Sequence, residues 1–158
     1  MKREIDRNKR GNMDLTESLE DYLEAIYVHL QEKKVVRVKD LMKHFNYKSS
    51  SVNTAVGQLK KKGLVDHEKY GYIDLTTEGR ELAKEIYRKH EKLTGFLRDT
   101  LGINGETAEN DACRMEHILS DETYETFYRF IKYLEQVLTR KKLDSIIEQF
   151  KKLPRETD

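Results

Sequence analysis

The stretch SSSVNTAVGQLKKKGL, residues 49–64, decides the fold of the first half of this chain. Val52, Val56 and Leu59 recur at helical spacing and form one apolar face. The opening serines can cap such a helix, and Gly63 suits its C-terminal end. The opposite face carries hydroxyl and amide side chains and then three successive lysines. This composition is typical of the helix that a helix-turn-helix protein places in the major groove of DNA.

The segments around this stretch predict the remainder of a winged helix-turn-helix domain. Apolar residues at helical spacing predict helices at about 16–33 and 38–45. Residues 64–68 and 72–75 are short, partly alternating and separated by a glycine, which predicts a hairpin. Helix, helix, turn, helix, hairpin is the order of a winged helix-turn-helix.

The second half of the chain predicts helices only. They are expected from Thr76-Thr77 to about Leu101, from about Glu106 to Leu119, from Ser120 to about Leu138, and in a last amphipathic segment that ends at Pro154. The fold class is therefore mainly α. The expected domains are a winged helix-turn-helix at 14–76 and an all-helical domain at 77–158, preceded by a flexible charged arm at 1–13.

Composition limits the kind of protein this is. Charged residues make up 37% of the 158-residue chain, and hydrophobic residues also make up 37%, enough to bury a core. The sequence contains no apolar run long enough to span a bilayer, and its N-terminus does not resemble a signal peptide. A single cysteine forms no internal disulfide and fits a reducing compartment. We therefore expect a cytoplasmic protein with no membrane partner.

Charge is unevenly distributed along the chain. Residues 33–69 hold ten lysines and arginines against three acids, whereas residues 13–32 hold six acids and no lysine or arginine. One lysine-rich helix end is common in small domains, but a basic cluster, a polar helix start and a basic hairpin together favour DNA. The residues predicted to contact DNA are Arg37, Lys39, Lys48, Ser49, Ser50, Ser51, Asn53, Thr54, Gln58, Lys61, Lys69 and Tyr70.

The acids of the first predicted helix lie opposite its apolar face. The pairs Glu17–Asp21 and Glu20–Glu24 are like-charged at i and i+4, which is mildly unfavourable. A solvated face is the usual explanation of such a cluster. A bound cation is the alternative, because it would neutralise the carboxylates.

A second cluster of ligand-type residues lies in Cys113-Arg114-Met115-Glu116-His117. Its thiol, carboxylate and imidazole stand at i, i+3 and i+4, on one side of the predicted helix. These are ligand types for transition metals, so the triplet is a plausible half-site. His90 lies beside the apolar face of the long helix, where a lone histidine is more often a core residue than a ligand.

Several spaced motifs together resemble the diphtheria toxin repressor family, particularly its short branch, the manganese transport regulators. The resemblance covers roughly residues 14–138. The matching stretches are LTESLEDYLEAIY (15–27), VRVKDL (36–41), SSV (50–52), KGLV (62–65), LTTEG (75–79) and DACRMEHILSDE (111–122).

The resemblance implies a homodimeric, metal-activated repressor that binds operator DNA and has no organic cofactor. Helices from about Glu106 onward would pair the chains, and the SH3-like domain of longer members is not expected. Glu109 would serve as an ancillary ligand, whereas Thr94 replaces an ancillary carboxylate. The implied metal ligands are Asp21, Glu24, His90, Cys113, Glu116 and His117.

The implied ligands combine features of two branches. Asp21 and Glu24 match the manganese branch, whereas Cys113 matches the iron-responsive branch. Because a thiolate favours Fe²⁺ over Mn²⁺, we expect Fe²⁺ narrowly ahead, with Co²⁺, Ni²⁺ or Zn²⁺ binding in vitro. Two alternatives are a helical metalloenzyme of the di-iron oxidase type and a winged-helix repressor that senses a small organic ligand.

Overall fold

The computed structural model describes residues 15–67 and 71–154, and the chain divides into two compact units. The first unit ends at Tyr87 and the second begins at Arg88. Most residues are helical, as predicted. In the part of the chain that is described, no helix is both long and apolar enough to cross a membrane.

The first unit has the predicted order of helices and strands, with one additional strand. Its sheet is antiparallel in the order β1-β3-β2, and Val36 of β1 pairs with Ile73 of β3. A strand of two residues is too short to alternate, so the sequence pattern predicted only the hairpin of β2 and β3. The elements are α1 (Glu17–Glu32), β1 (Val36–Arg37), α2 (Val38–Phe45), α3 (Ser49–Lys61), β2 (Val65–His67) and β3 (Tyr72–Leu75).

The apolar face of α3 is the centre of the first unit's core. Val52, Val56 and Leu59 are fully buried, and they pack with apolar residues of α1, α2 and the sheet. The burial of this face fixes the rotation of α3, so its serines, Asn53 and lysines remain at the surface. The other large core residues are Leu23, Ile26, Leu41, Leu64, Val65 and Ile73.

The ends of α3 differ in one respect from the prediction. The amides of Ser51 and Val52 donate to the carbonyl of Lys48, so Lys48 is the N-cap and the serines lie within the first turn. Gly63 follows the helix with a φ of +74°, a left-handed conformation that glycine adopts without strain.

A close backbone contact joins the start of the helix that follows β3 to Leu64, which lies between α3 and β2. A Cβ atom at Gly79 would overlap the carbonyl of Leu64. Thr76 fixes this contact, because its hydroxyl donates to Gly63 O at 2.8 Å and accepts from Gly79 N–H at 3.0 Å. This arrangement explains why the motif around Thr77 contains a glycine.

The second unit contains helices only among its described residues. The long predicted helix does not remain α-helical to Leu101; its α-helix ends at Gly95, and a π-helical turn follows, in which Leu101 N–H donates to Phe96 O at 3.1 Å. The elements are α4 (Thr77–Gly95, beginning in the first unit), the π-helical turn (Phe96–Thr100), α5 (Gly105–Ile118), α6 (Asp121–Val137) and α7 (Arg140–Lys151).

Local caps and a small core position α5. Asn104 caps it by accepting from Glu106 N–H at 2.9 Å. Ala112 of α5 packs with Leu93 of α4 and Tyr124 of α6. Glu109 and Glu116 lie three residues before and four residues after Ala112, so they share its side of α5 and face His90 of α4.

Candidate metal centre and nucleic-acid interface

His90 lies beside two carboxylates of α5. Its Nε2 is 3.0 Å from Oε1 of Glu109 and 3.3 Å from Oγ1 of Thr94, while its Nδ1 is 3.3 Å from Oε2 of Glu116. Two turns of α5 therefore present acidic oxygens to the two edges of one imidazole. The second unit by itself brings together His90, Glu109 and Glu116 from the predicted ligand set.

Glu116 is the most unusual side chain of this cluster. Its side chain is only 2% exposed, and neither carboxylate oxygen accepts a hydrogen bond from the described residues. His117 Nε2 is 3.7 Å from Glu116 Oε1, a distance at which charge is felt but no good hydrogen bond forms. Burying a carboxylate without donors costs free energy, and a cation would remove that cost.

Cys113 and His117 flank Glu116 on the same helix. Cys113 is the single cysteine of the chain and is half-buried, and the His117 side chain is 6% exposed. Oxygen, nitrogen and sulfur donors therefore lie within one turn of α5. This donor set fits a divalent transition metal, which binds the thiolate and the neutral imidazole.

The remaining predicted ligands have different settings. Asp21 and Glu24 are half-buried residues of α1, in the first unit. The Glu109 side chain is 63% exposed, and it forms an ion pair with His90. The metal roles of these three residues stay predictions.

The predicted DNA-contacting residues lie at the surface of the first unit wherever the structure describes them; Lys69 and Tyr70 fall outside the described residues. Two side chains of α3 bond back to their own helix: Asn53 Nδ2 donates to Ser49 O at 2.8 Å, and Thr54 Oγ1 donates to Ser50 O at 2.9 Å. These groups would exchange those bonds to contact a base. The exposed predicted residues are Arg37, Lys39, Lys48, Ser49, Ser50, Ser51, Asn53, Thr54, Gln58 and Lys61.

The basic side chains of the first unit differ in their hydrogen bonds to the rest of that unit. Lys60 Nζ donates to the carbonyl of His67 at 2.8 Å, so this lysine ties α3 to β2. Lys61, its neighbour, is exposed. The guanidinium of Arg37 donates to the Tyr72 hydroxyl at 3.0 Å and lies 4.9 Å from the centre of its ring. Arg37 is thereby fixed on the sheet with its charge at the surface.

A groove of about 490 Å³ runs between the first turns of α1 and α3. Its lining includes the hydroxyls of Ser18, Tyr22, Ser50 and Ser51. Burial raises the pKa of Tyr22, and the nearby phenol of Tyr47, which also lines the groove, adds to the rise. The sequence does not reveal this groove, because Tyr22 lies on the apolar stripe of α1 and so resembles an ordinary core residue.

Two family models match the chain in order. Residues 14–73 match the model described as "Iron dependent repressor, N-terminal DNA binding domain". Residues 76–142 match the model described as "Iron dependent repressor, metal binding and dimerisation domain". Together these models span most of the chain.

Similar proteins carry names consistent with these models. An uncharacterized HTH-type transcriptional regulator of Methanocaldococcus jannaschii is 39% identical over 119 residues, covering 75% of this chain and 95% of that protein. The HTH-type transcriptional regulator MntR of Bacillus subtilis is 35% identical over 127 residues, covering 80% of this chain and 89% of MntR.

Solved structures with the same fold are longer proteins. IdeR of T. acidophilum is 28% identical with a TM-score of 0.62, and 75% of this chain is covered. The manganese regulator SloR is 28% identical with a TM-score of 0.64, and 77% of this chain is covered. This chain spans 55% of the length of each of these two structures.

Proposed function

Because the chain belongs to the diphtheria toxin repressor family of metal-dependent transcriptional repressors, we propose that it represses transcription when a divalent metal binds at His90, Cys113, Glu116 and His117. Members of this family are transcriptional regulators and not enzymes, which excludes the di-iron oxidase alternative. The small-organic-ligand alternative is likewise unsupported. The observation that carries the metal assignment is the buried Glu116 carboxylate, which lies beside two imidazoles without a hydrogen-bond donor among the described residues.

We propose that Asp21 and Glu24 complete the ligand set. Their support is the sequence: they lie in residues 13–32, which hold six acids and no lysine or arginine, and they match the family's metal-binding motif. Glu109 would be an ancillary ligand together with His90, supported by the 3.0 Å contact between them.

A ligand set drawn from α1 as well as from α4 and α5 suggests how metal affects DNA binding. When bound, the ion supplies positive charge that neutralises the ligand carboxylates. Asp21 and Glu24 would then hold α1, and with it the recognition helix α3, in the arrangement that fits DNA. Coupling requires only that the ligand residues bind the metal better in that arrangement than in others.

The donor set favours Fe²⁺ narrowly over Mn²⁺ as the physiological ion. Mn²⁺ prefers oxygen ligands, whereas the Cys113 thiolate favours later metals of the first transition row. Co²⁺, Ni²⁺ and Zn²⁺ would bind the same donors in vitro. The proposed targets are genes of iron or manganese homeostasis.

We also propose that the repressor is a homodimer paired through its C-terminal helices. Apolar side chains that are about half exposed or more recur at helical spacing on two helices: Phe130, Tyr133 and Val137 on α6, and Ile146, Phe150 and Leu153 on α7 and just beyond it. Two apolar stripes of this kind fit a second copy of the chain, because a symmetric pair buries the same stripe twice. Two recognition helices in one dimer would read two half-sites of an operator.

A binding titration tests the proposed function. A duplex would first be selected from a random library with metal-loaded protein, and its affinity would then be measured by fluorescence anisotropy under anaerobic conditions with Fe²⁺, Mn²⁺ or chelator. We expect metal to raise the affinity of the wild type, and we expect His117→Ala to abolish that response. Arg114→Ala, on the exposed side of α5, is the matched control and should respond as the wild type does. A His117→Ala protein with full metal stimulation would contradict the proposal.

A further inference from the structure

Two side chains contact the Nε2 edge of the His90 ring. Oε1 of Glu109 lies 3.0 Å from Nε2, and Oγ1 of Thr94 lies 3.3 Å from the same nitrogen. Glu109 reaches the ring from α5, whereas Thr94 lies one turn after His90 on α4. Both oxygens are within hydrogen-bond distance of one nitrogen, so the position of the ring proton decides how both contacts are made.

The carboxylate of Glu109 determines which ring nitrogen carries the proton. A neutral imidazole has one N–H donor and one acceptor nitrogen, whereas an ionised carboxylate only accepts. Nε2 must therefore carry the proton in order to donate to Oε1 of Glu109 across 3.0 Å. The lone pair of the neutral ring then lies on Nδ1.

The Nδ1 edge of the same ring faces the buried carboxylate of Glu116. Nδ1 is 3.3 Å from Oε2 of Glu116, whose side chain is only 2% exposed and has no hydrogen-bond donor among the described residues. With the proton on Nε2, a nitrogen lone pair and a carboxylate oxygen face each other across this distance. They repel each other, and a cation bound by both would remove the repulsion.

Thr94 restricts the rotation of the ring. It is a polar residue with an exposure of only 6%, and Leu93, the residue before it, is fully buried, so this turn of α4 is fixed by packing. A half-turn of the His90 ring would put carbon atoms where the two nitrogens now lie. Such a turn would lose the contacts of Nε2 with Thr94 and Glu109, and Nδ1 would no longer face Glu116.

We propose that Thr94 and Glu109 are positioning residues that keep the His90 proton on Nε2 and thereby present Nδ1 to the metal ion. The inference rests on the proposed function, in which His90 is a ligand. Partners of this kind orient ligand histidines, and their loss costs about 10- to 100-fold in metal affinity. The ancillary role of Glu109 needs an ion on Nε2 in place of the proton. The two roles therefore exclude each other on one ring, and the experiment separates them.

The tautomer of His90 can be measured in the chelated protein. Long-range ¹H–¹⁵N correlation spectra of ¹⁵N-histidine-labelled protein at about pH 8, where an ordinary imidazole is neutral, distinguish a protonated Nε2 from a protonated Nδ1. The chain has five histidines, and the signal that disappears in His90→Ala belongs to His90. We expect the Nε2–H form in the wild type and a mixture of both forms in Glu109→Ala. A wild-type ring protonated on Nδ1 would overturn the inference.

Mn²⁺ titrations, followed by the EPR signal of the free ion, measure the effect on metal binding. Thr94→Val keeps the branched shape and removes the hydroxyl, so it should bind Mn²⁺ about tenfold more weakly. Thr94→Ser restores the hydroxyl and should bind nearly as the wild type does. Thr107→Val, at an exposed position of α5, is the matched control and should match the wild type. Glu109→Ala should weaken binding about 10- to 100-fold without changing the number of ions per chain.

A background without the imidazole shows whether both residues act through His90. In His90→Ala, the addition of Thr94→Val or Glu109→Ala should cause no further loss of affinity. Wild-type affinity of both Thr94→Val and Glu109→Ala would overturn the inference. The loss of one of two bound ions in Glu109→Ala would also overturn it, because Glu109 would then be a ligand. Failure of the repressor proposal looks different, since the wild type would bind no Mn²⁺ although His90 kept its proton on Nε2.

Discussion

Nδ1 of His90 lies 3.3 Å from Oε2 of Glu116, and Nε2 of the same ring lies 3.0 Å from Oε1 of Glu109. Acidic oxygens therefore face both nitrogens of one imidazole. A metal ion bound by this ring needs at least one ring nitrogen unprotonated. Protons and metal thus compete for one group of atoms, and metal binding should weaken as pH falls.

Replacement of Glu116 should have opposite effects on metal binding and on the metal-free fold. Glu116→Gln removes a ligand charge, and we expect metal affinity to fall at least about 100-fold. The same change removes a buried charge that lacks hydrogen-bond donors among the described residues, so the chelated protein should melt at the same or a higher temperature. Thermal melts with Mn²⁺ or with chelator measure both effects.

Glu109→Gln is the matched control for that experiment, because its side chain is 63% exposed. It should leave the chelated protein's melting temperature nearly unchanged and should reduce metal affinity less than Glu116→Gln. A Glu116→Gln protein that is as strongly stabilised by Mn²⁺ as the wild type would contradict the assignment of Glu116 as a ligand.

The Cys113 side chain should determine the choice of metal. Cys113→Glu replaces a thiolate with a carboxylate, so the affinity ratio should move toward Mn²⁺ and away from Fe²⁺ and Zn²⁺. Competition titrations under anaerobic conditions measure that ratio. Cys113→Ser removes the sulfur without adding a carboxylate, so it should weaken the binding of Mn²⁺, Fe²⁺ and Zn²⁺. An unchanged ratio in Cys113→Glu would show that sulfur does not set the preference.

Asp40 should contribute to stability in a pH-dependent manner. Desolvation opposes its ionisation, but the hydrogen bond from Lys33 Nζ at 3.0 Å and the bond from Arg37 N–H at 2.9 Å lower its pKa below 3.8. A carboxylate with a lowered pKa stabilises the folded protein above its unfolded pKa, and this contribution is lost as pH falls through the folded value. Asp40→Ala should cost about 1 kcal/mol at pH 7, because it also removes the α2 capping box.

Urea unfolding at several pH values measures this effect. The difference in unfolding free energy between the wild type and Asp40→Ala should shrink as pH falls below about 4, near the ordinary pKa of the group. Asp66→Ala changes an exposed carboxylate of the same unit and should cost less than about 0.5 kcal/mol. A difference for Asp40→Ala that does not vary with pH would contradict the role of its charge.

Two neighbouring lysines should differ in the salt dependence of DNA binding. Lys61 is exposed and predicted to contact a phosphate, so Lys61→Ala should reduce the slope of log K against log salt by about 0.9. Lys60 is held by the carbonyl of His67, so Lys60→Ala should lower thermal stability and leave the slope nearly unchanged. Anisotropy titrations at several salt concentrations give both slopes. Equal changes of the salt slope in Lys60→Ala and Lys61→Ala would contradict the different roles of the two lysines.

A charge on the exposed apolar stripe of α6 should dissociate the proposed dimer. Tyr133 is 60% exposed, so Tyr133→Glu should fold normally as a monomer but lose self-association. Sedimentation velocity measures the mass, and circular dichroism checks the fold. Lys132→Gln makes the same one-unit change of charge at an exposed position on the other side of α6, and this control should remain dimeric. A wild type that sediments as a monomer would contradict the dimer itself.

Sequence periodicity predicted the helices of this fold well because each has a long apolar stripe. The two-residue strand β1 and the π-helical turn at Phe96–Thr100 were missed, since neither has enough residues to show a pattern. The N-cap of α3 is Lys48 and not one of the predicted serines. The position of a cap depends on which carbonyl accepts the first amides of the helix, and composition does not determine this.

The sequence likewise predicted part of the metal-ligand set and missed the contacts between helices. The i, i+3, i+4 spacing indicated that Cys113, Glu116 and His117 share one side of a helix, but only the packing of α5 against α4 reveals the 3.3 Å contact between His90 and Glu116. The groove beside Tyr22 has no sequence signature, because a tyrosine with an unpaired buried hydroxyl looks like any other core aromatic residue.

Helix α1 is one unbroken helix of 16 residues, and it carries both Asp21 and Glu24. Under the proposed function, this helix supplies two metal ligands and belongs to the same compact unit as the recognition helix α3. Thermodynamic reciprocity then requires that operator-bound protein hold its metal more tightly than free protein does. When metal becomes scarce, occupied operators would be the last to release it. Transcription of the regulated genes would therefore resume only some time after the metal concentration has fallen.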